Sequence, residues 1–462
     1  MPLPGINRRD ALARMGSGFG LLAFERLRAA SASPFDPKPP HYPAKAKNII
    51  YLVLNGGLSQ VDSFDPKPAL DKYHGQPVPG GAPQTESSVG SLMRSPFSFR
   101  KYGQSGIEVS ELFPEIGRRI DRFAVIRSMH TNVPNHEPSL FMMNCGAIQP
   151  GRPSLGSWLT YGLGTLNRNL PGFVVLCPGT PVVGPPLWES AFLPAVYQGT
   201  YFQNTEIDPK KLIRFIENGR HDREAQRRQL DLLNALNREH LRSRQGDSQL
   251  EAAIETMETA FRMQTEAPEV FDIRKESEAT RERYGDSDFG RGCLLARRLV
   301  EAGVRMVQIY FGNSQPWDAH EDILSHRRLA AQADPAIAAL VDDLHDRGLL
   351  NETLVVMGTE FGRTPAVQNS STLKLHNGRD HNSLGYSIAL AGGGIRGGCV
   401  HGATDDFGYR AVEKPVHVHD LNATLLHLMG LDHTRLTYPY SGRDFRLTDV
   451  HGHVVRELLA SA

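Results

Sequence analysis

The sequence predicts an α/β protein: a mainly parallel central sheet covered by helices on both faces, with a helical insertion. Three observations carry that prediction. Short continuous apolar runs rich in β-branched residues, Asn48-Ile-Ile-Tyr-Leu-Val-Leu54 and Thr353-Leu-Val-Val-Met-Gly358, have the pattern of strands buried on both faces. From Gly290 onward such runs alternate with helix-length segments, the rhythm of a doubly covered sheet. Between about Asp208 and Gly285 the composition shifts to Arg, Glu, Gln, Leu and Ala at helical spacing, as in Leu230, Leu233, Leu236 and Leu241.

At 462 residues, with 40% hydrophobic and 22% charged content, the chain can hold one large domain with a substantial insertion. Lys plus Arg equals Asp plus Glu, 51 each, so nothing draws the whole molecule toward nucleic acid or an anionic membrane. Cys145, Cys177, Cys293 and Cys399 are scattered without a Cys-x-x-Cys pair.

The elements follow in order. Asn7-Arg8-Arg9-Asp10 precedes a weakly apolar stretch, Met15 to Phe24, and Ala30-Ser31-Ala32, which suits cleavage; residues 1–32 read as a twin-arginine export signal, or as a basic leader that stays attached. An exported, periplasmic or extracellular protein is expected, and no other segment approaches the roughly 18 apolar residues of a membrane span. A Pro-rich linker, 33–47, leads into the first strand, which ends in Asn55-Gly56-Gly57, and the main domain is expected over 48–462. Residues Ser63 to Gly106 are rich in Pro, Gly and Ser and read as an extended excursion without regular structure. Phe123-Ala-Val-Ile126 is a further strand, leading through Arg127-Ser-Met-His130 to a helix over Leu140-Phe-Met-Met-Asn144 that Asn135 or His136 could cap. Phe173 to Leu176 and Val304 to Phe311 supply more strands, and the insertion occupies about 208–285, its mixed charges forming a solvated face. Helices over Cys293 to Ala302 and Pro335 to Arg347 then alternate with the strands at 304–311, 353–358 and Tyr386 to Ala391.

Chemistry concentrates at strand ends. Thr353 to Gly358 runs into Glu360-Phe-Gly-Arg-Thr-Pro, Gly378-Arg-Asp-His-Asn382 follows, and Trp317-Asp-Ala-His320 lies just past the strand at 304–311. Ligands of open α/β sheets sit at the carboxyl ends of strands, so these clusters point to one shared site. Asp, Glu and His are ligands for zinc, manganese or calcium. Taken singly, Glu360 could instead cap a helix or join a salt bridge, and His320 or His381 could be a hydrogen-bonded structural histidine.

The segment Ile337 to Gly362, a helix followed by a strand ending in metal-capable residues, resembles the sulfatase and alkaline-phosphatase superfamily, as does Val418-His-Asp420-Leu-Asn-Ala-Thr424 at a late helix. Asn55-Gly-Gly, Asn135-His-Glu-Pro-Ser-Leu, Glu360-Phe-Gly-Arg-Thr-Pro and Gly378-Arg-Asp-His give a closer likeness to a twin-arginine-exported, sulfatase-like branch of unknown function. The resemblance implies an alkaline-phosphatase-like fold over most of the mature chain. It also implies a metal site, here Asp318, His320, Glu360, Asp380 and His381, with Asn55 at a further ligand position. The chain departs from the pattern in three places. Asn55-Gly56 stands for an Asp-Asp pair, and neutral Asn is the weaker ligand; Glu360-Phe361 stands for Asp-His or Asp-Asn. His136-Glu-Pro-Ser139-Leu140 stands where sulfatases carry Cys or Ser ahead of Pro-Ser-Arg, so no formylglycine can form.

The expected activity is metal-dependent hydrolysis of sulfate or phosphate esters by another route, acting on an anionic small molecule or glycan ester. In it Arg363 grips the substrate's oxygens, or pairs with a nearby carboxylate. His136 serves as nucleophile or general acid and base, or caps its helix, and Ser139 is the second-choice nucleophile. The alternative is a catalytically degenerate member that binds an anionic glycan or a partner protein without turnover.

Overall fold

The computed structural model describes residues 33–81, 88–244 and 248–460. The export segment anticipated over 1–32 lies outside the described residues. The first strand, β1 (Asn48–Val53), is buried along its whole length: Ile50 and Leu52 enter one core layer, while Ile49, Tyr51 and Val53 enter the other. That split follows from the two-residue period of a strand with helices on both sides.

Around β1 a nine-stranded sheet is built from β2 (Phe123–His130), β3 (Phe173–Leu176), β4 (Thr200–Phe202), β5 (Met306–Tyr310), β6 (Thr353–Gly358), β7 (Tyr386–Gly392), β8 (Cys399–His401) and β9 (Val416–His417). Its order is β8-β2-β7-β6-β1-β5-β3-β4, with β9 also paired to β2. β1 lies between β5 and β6, parallel to both, with Val53 opposite Tyr310 and Gly358. Every strand runs the same way except β7, which is antiparallel to both β6 and β2. The α/β class with a mainly parallel sheet is therefore as the sequence predicts. The inverted β7 matters for the site, because it begins at the end where its neighbours finish.

One core layer packs the helices Asp288–Glu301 and Ser325–Asp346 against the sheet; the other packs His136–Cys145, Leu155–Leu163 and Val418–Leu428. The helix expected to begin at Pro335 begins at Ser325 and carries Pro335 in its interior. Proline costs that helix one backbone hydrogen bond, a loss offset by a buried face that includes Leu329, Ala333, Ile337 and Leu340. Helices Arg223–Arg244 and Ser248–Val270 are joined by a bidentate Arg227–Glu258 pair at 2.9 and 2.7 Å. Leu230 is buried there, but Leu233 and Leu236 are exposed, so their spacing does not mark a core face.

One further expectation needs correction. Residues 63–106 contain a short helix, Pro68–Lys72, and strands Ser88–Leu92 and Phe99–Tyr102. Ser88–Leu92 pairs with Gly362–Asn369, a partner far away in sequence that local composition does not reveal. The segment 33–47 is anchored: Phe35 is buried, Lys38 N donates to Leu163 O at 2.9 Å, and Ala46 N donates to Leu428 O at 2.9 Å.

Candidate metal centre

The loops that leave β1, β2, β5 and β6 meet at one end of the sheet. After β1 the chain turns sharply at Gly56, whose φ of +117° and whose hypothetical Cβ, 2.6 Å from Trp317 N, admit only glycine. That turn lays the Asn55-Gly-Gly loop against residues 315–318, the loop leaving β5. The helix after β2 starts at His136. His381 arrives on the strand Arg379–Asn382, just before the inverted β7. Arg379 holds this strand down through a fully buried pair with Asp62, Nε to Oδ2 at 2.7 Å.

The result is a cluster in which His136, Asp318, His320 and His381 each offer one ligand atom within 4.8 Å of the others. Asp318 Oδ1 is its hub: His320 Nε2 stands at 2.8 Å, His381 Nε2 at 3.3 Å and His136 Nε2 at 3.5 Å. The rings of His136 and His381 meet edge to face, centroids 4.4 Å apart. Behind the rings stand acceptors. Glu360 Oε1 accepts from His136 Nδ1 at 2.7 Å, and Gln368 Oε1 accepts from His320 Nδ1. An imidazole whose Nδ1–H is held this way presents Nε2 as its donor atom, the arrangement that outer-shell partners give to metal-binding histidines.

Charge follows the geometry. Burial opposes ionisation of Asp318, yet the surrounding imidazoles of His136, His320 and His381 and the charge of Arg363 hold its carboxyl far below the usual carboxylate range. Burial likewise works against charge on His136, but Asp318 and Glu360 override it and raise its pKa to about 9. For His381 burial wins, helped by Arg363 and His136, and lowers the value to about 4. Without an ion, then, the cluster concentrates positive charge on His136 between two carboxylates. The buried Nε2 of His136 makes no hydrogen bond. Three imidazole nitrogens and a carboxylate oxygen are a donor set for zinc, manganese or a neighbouring transition ion, whereas calcium prefers oxygen alone.

The remaining sequence-predicted residues have other occupations. Glu360 is fully buried and accepts from Gly56 N at 2.8 Å as well as from His136, so it braces the His136 ring rather than joining the cluster. Asn55 is tied by its amide to the carbonyls of Gly312 at 3.0 Å and Ser314 at 2.6 Å, outside the cluster. Asp380 Oδ1 accepts from His381 N at 2.8 Å and lies 4.0 Å from His320 Nδ1. Ser139 is buried, its hydroxyl donating to Val133 O at 2.6 Å at the start of the helix. Arg363 is also buried. Its Nε donates to Gly57 O at 2.9 Å, Nη1 to Arg379 O at 3.2 Å, and Nη2 to Asp318 Oδ1 at 2.6 Å and to Gly56 O. Of its two sequence readings, carboxylate pairing is the one observed. His136 does not cap its helix through its side chain; its ring enters the cluster. Gln368 was missed altogether, since an amide on an irregular strand carries no sequence signal.

Among solved structures, a sulfatase, PsFucS1, from Pseudoalteromonas sp. is 12% identical, with 84% of this chain and 68% of that one covered and a TM-score of 0.35. The phosphonate monoester hydrolase SpPMH from Silicibacter pomeroyi is 12% identical over 75% and 71%, with a TM-score of 0.34. The lipoteichoic acid synthase LtaP from Listeria monocytogenes is 9% identical over 89% and 78%, at 0.36. Likeness at this level leaves the chemistry to the site itself. No curated protein matches the sequence. The family model described as "Protein of unknown function (DUF1501)" matches residues 46–459, nearly the whole described chain, and the protein belongs to that family.

Proposed function

We propose that the protein is a metal-dependent hydrolase of anionic esters, sulfate or phosphate, that uses water in place of a protein nucleophile. The observation that carries this reading is the convergence of His136, His320 and His381 on Asp318 Oδ1, with Glu360 and Gln368 braced behind two of the rings.

Those four side chains would hold a divalent ion. Such an ion, when bound, supplies a Lewis acid that lowers the pKa of water and polarises an ester oxygen. The residues do the rest. Glu360 keeps the proton of His136 on Nδ1, so Nε2 faces the site. Arg363 offsets the charge of Asp318 and ties it to the carbonyls of Gly56 and Gly57, which fixes the hub against the turn after β1. With the Ser139 hydroxyl and the Arg363 guanidinium both spent on the scaffold, neither serves as nucleophile or anion clamp.

The commitment of the Ser139 hydroxyl to Val133 O supports a second reading, a protein that binds an anionic ligand through the ion without turnover. Hydrolysis of aryl sulfate, phosphate monoester and phosphodiester substrates, with and without chelator, separates the two: chelator-sensitive turnover of any one favours the hydrolase, and silence on all three favours binding. The centre itself is tested by elemental analysis of protein purified without chelator, alongside His381→Ala and Asp318→Asn. Near-stoichiometric metal lost in both variants is expected; metal retained in both refutes the site. We also propose twin-arginine export, supported by Asn7-Arg8-Arg9-Asp10 and Ala30-Ser31-Ala32. Replacing Arg8 and Arg9 with lysine should retain the precursor inside the cell, and unimpeded export would refute it.

A further inference from the structure

A second histidine cluster shares no residue with the first. β9 pairs with the end of β2, setting His417 opposite His130, and the helix Val418–Leu428 begins there. His417 is its cap: Nδ1 accepts from His419 N at 3.1 Å, Nε2 bonds to Asn132 Oδ1, and both nitrogens are spent. Asp420 accepts from His417 N at 3.0 Å and, through its other oxygen, from His453 N at 2.7 Å. That second bond draws His451-Gly452-His453 across to face His417-Val418-His419. Gly452, at φ +95°, passes so close that a Cβ would stand 3.0 Å from His419 O.

Between the two His-x-His pairs is a cleft of about 360 Å³. His419 is 4% exposed, stacks on His451 with centroids 5.2 Å apart, and leaves its buried Nδ1 without a hydrogen-bond partner. An unpaired buried polar atom is costly unless something binds it. An anion is a poor candidate, because the Asp420 carboxylate already occupies the positive end of the helix and lines the cleft. Imidazoles beside a carboxylate suit a borderline divalent ion.

We propose that His419, His451 and His453 form a second metal-binding site, selective for ions such as Ni(II), Cu(II) or Zn(II), with His417 and Asp420 holding the two chain segments in register. The donor atoms are not drawn together as in the first cluster; His451 and His453 are exposed, which leaves their side chains room to rotate toward an ion.

The test uses the full chain without a polyhistidine tag, titrated with Ni(II), and with Cu(II) read by nitrogen hyperfine coupling. In a His136→Ala, His381→Ala background one equivalent should still bind with imidazole coupling, and adding His451→Ala and His453→Ala should abolish it. Should that background fail to fold, His451→Ala with His453→Ala in the otherwise unchanged chain must lower total uptake by one equivalent. Uptake that is absent from the background variant, or unchanged when His451 and His453 are removed, overturns the proposal.

Discussion

Glu360→Gln separates bracing from ligation at the first centre. Glu360 is fully buried, with Gly56 N at 2.8 Å and His136 Nδ1 at 2.7 Å on the same oxygen. Glutamine keeps the shape and one oxygen that accepts from both donors, removes the charge, and puts an NH2 donor where Oε2 accepts from Thr359 Oγ1 at 3.3 Å. Opposite unit charges about 4 Å apart, at an effective dielectric of about 20, interact by about 4 kcal/mol. That energy is worth ~3 pKa units, so His136 should fall from about 9 to about 6. At neutral pH its ring would turn mostly neutral in the ion-free protein, while its orientation toward the site would weaken. Loss of an outer-shell partner typically costs 10–100-fold in metal affinity, and since proton competition falls at the same time, the low end, about tenfold, is expected here. Histidine ring NMR between pH 5 and 10 reads the first quantity, and competition with a chelator of known affinity reads the second. A His136 titration unmoved by the substitution, together with unchanged metal affinity, would refute the bracing role.

Four further outcomes follow from the same geometry. Ion uptake at the first centre must displace the proton that His136 holds up to about 9, so apparent affinity should rise roughly tenfold per pH unit from pH 6 to 8; a flat profile in chelator competition contradicts this. Arg363→Met should destabilise the fold by about 3 kcal/mol or more in urea unfolding, because Asp318 loses its buried partner and several carbonyls lose their donor; full stability with a raised KM would restore the anion clamp. Ser139→Ala should cost about 1 kcal/mol of stability and leave turnover intact, whereas abolished turnover at unchanged stability would make it the nucleophile. Asp334 accepts from Glu115 N and Ile116 N at 2.8 Å each, yet burial raises its pKa from 3.8 to about 7. The folded state therefore holds this proton more tightly than the unfolded one, so its contribution is complete below about pH 4 and is lost as pH rises to about 7. The full span is about 4 kcal/mol, and Asp334→Asn should flatten that part of the stability profile measured from pH 4 to 8.

What the sequence determined by itself is segmental. Continuous apolar runs located β1, β3, β5, β6 and β7, because a strand covered on both faces must be apolar along its whole length. The placement of Asp318, His320 and His381 beside strand ends was legible for the same reason: polar residues next to such runs lie where the strands finish, at the end of the sheet. Which atoms meet is set by the folding of distant segments against one another. His136 and Glu360 are 224 residues apart and touch because β2 and β6 flank the antiparallel β7. Neither β7's direction nor Ser88–Leu92's pairing with Gly362–Asn369 shows in local composition. The roles of Arg363, Ser139 and Asn55 turned on backbone carbonyls: Gly56, Gly57 and Arg379 for Arg363, Val133 for Ser139, and Gly312 and Ser314 for Asn55. A buried carbonyl left unpaired is expensive, so polar side chains that look catalytic in sequence are spent on these. Which carbonyls are left over is known only once the loops are folded against one another.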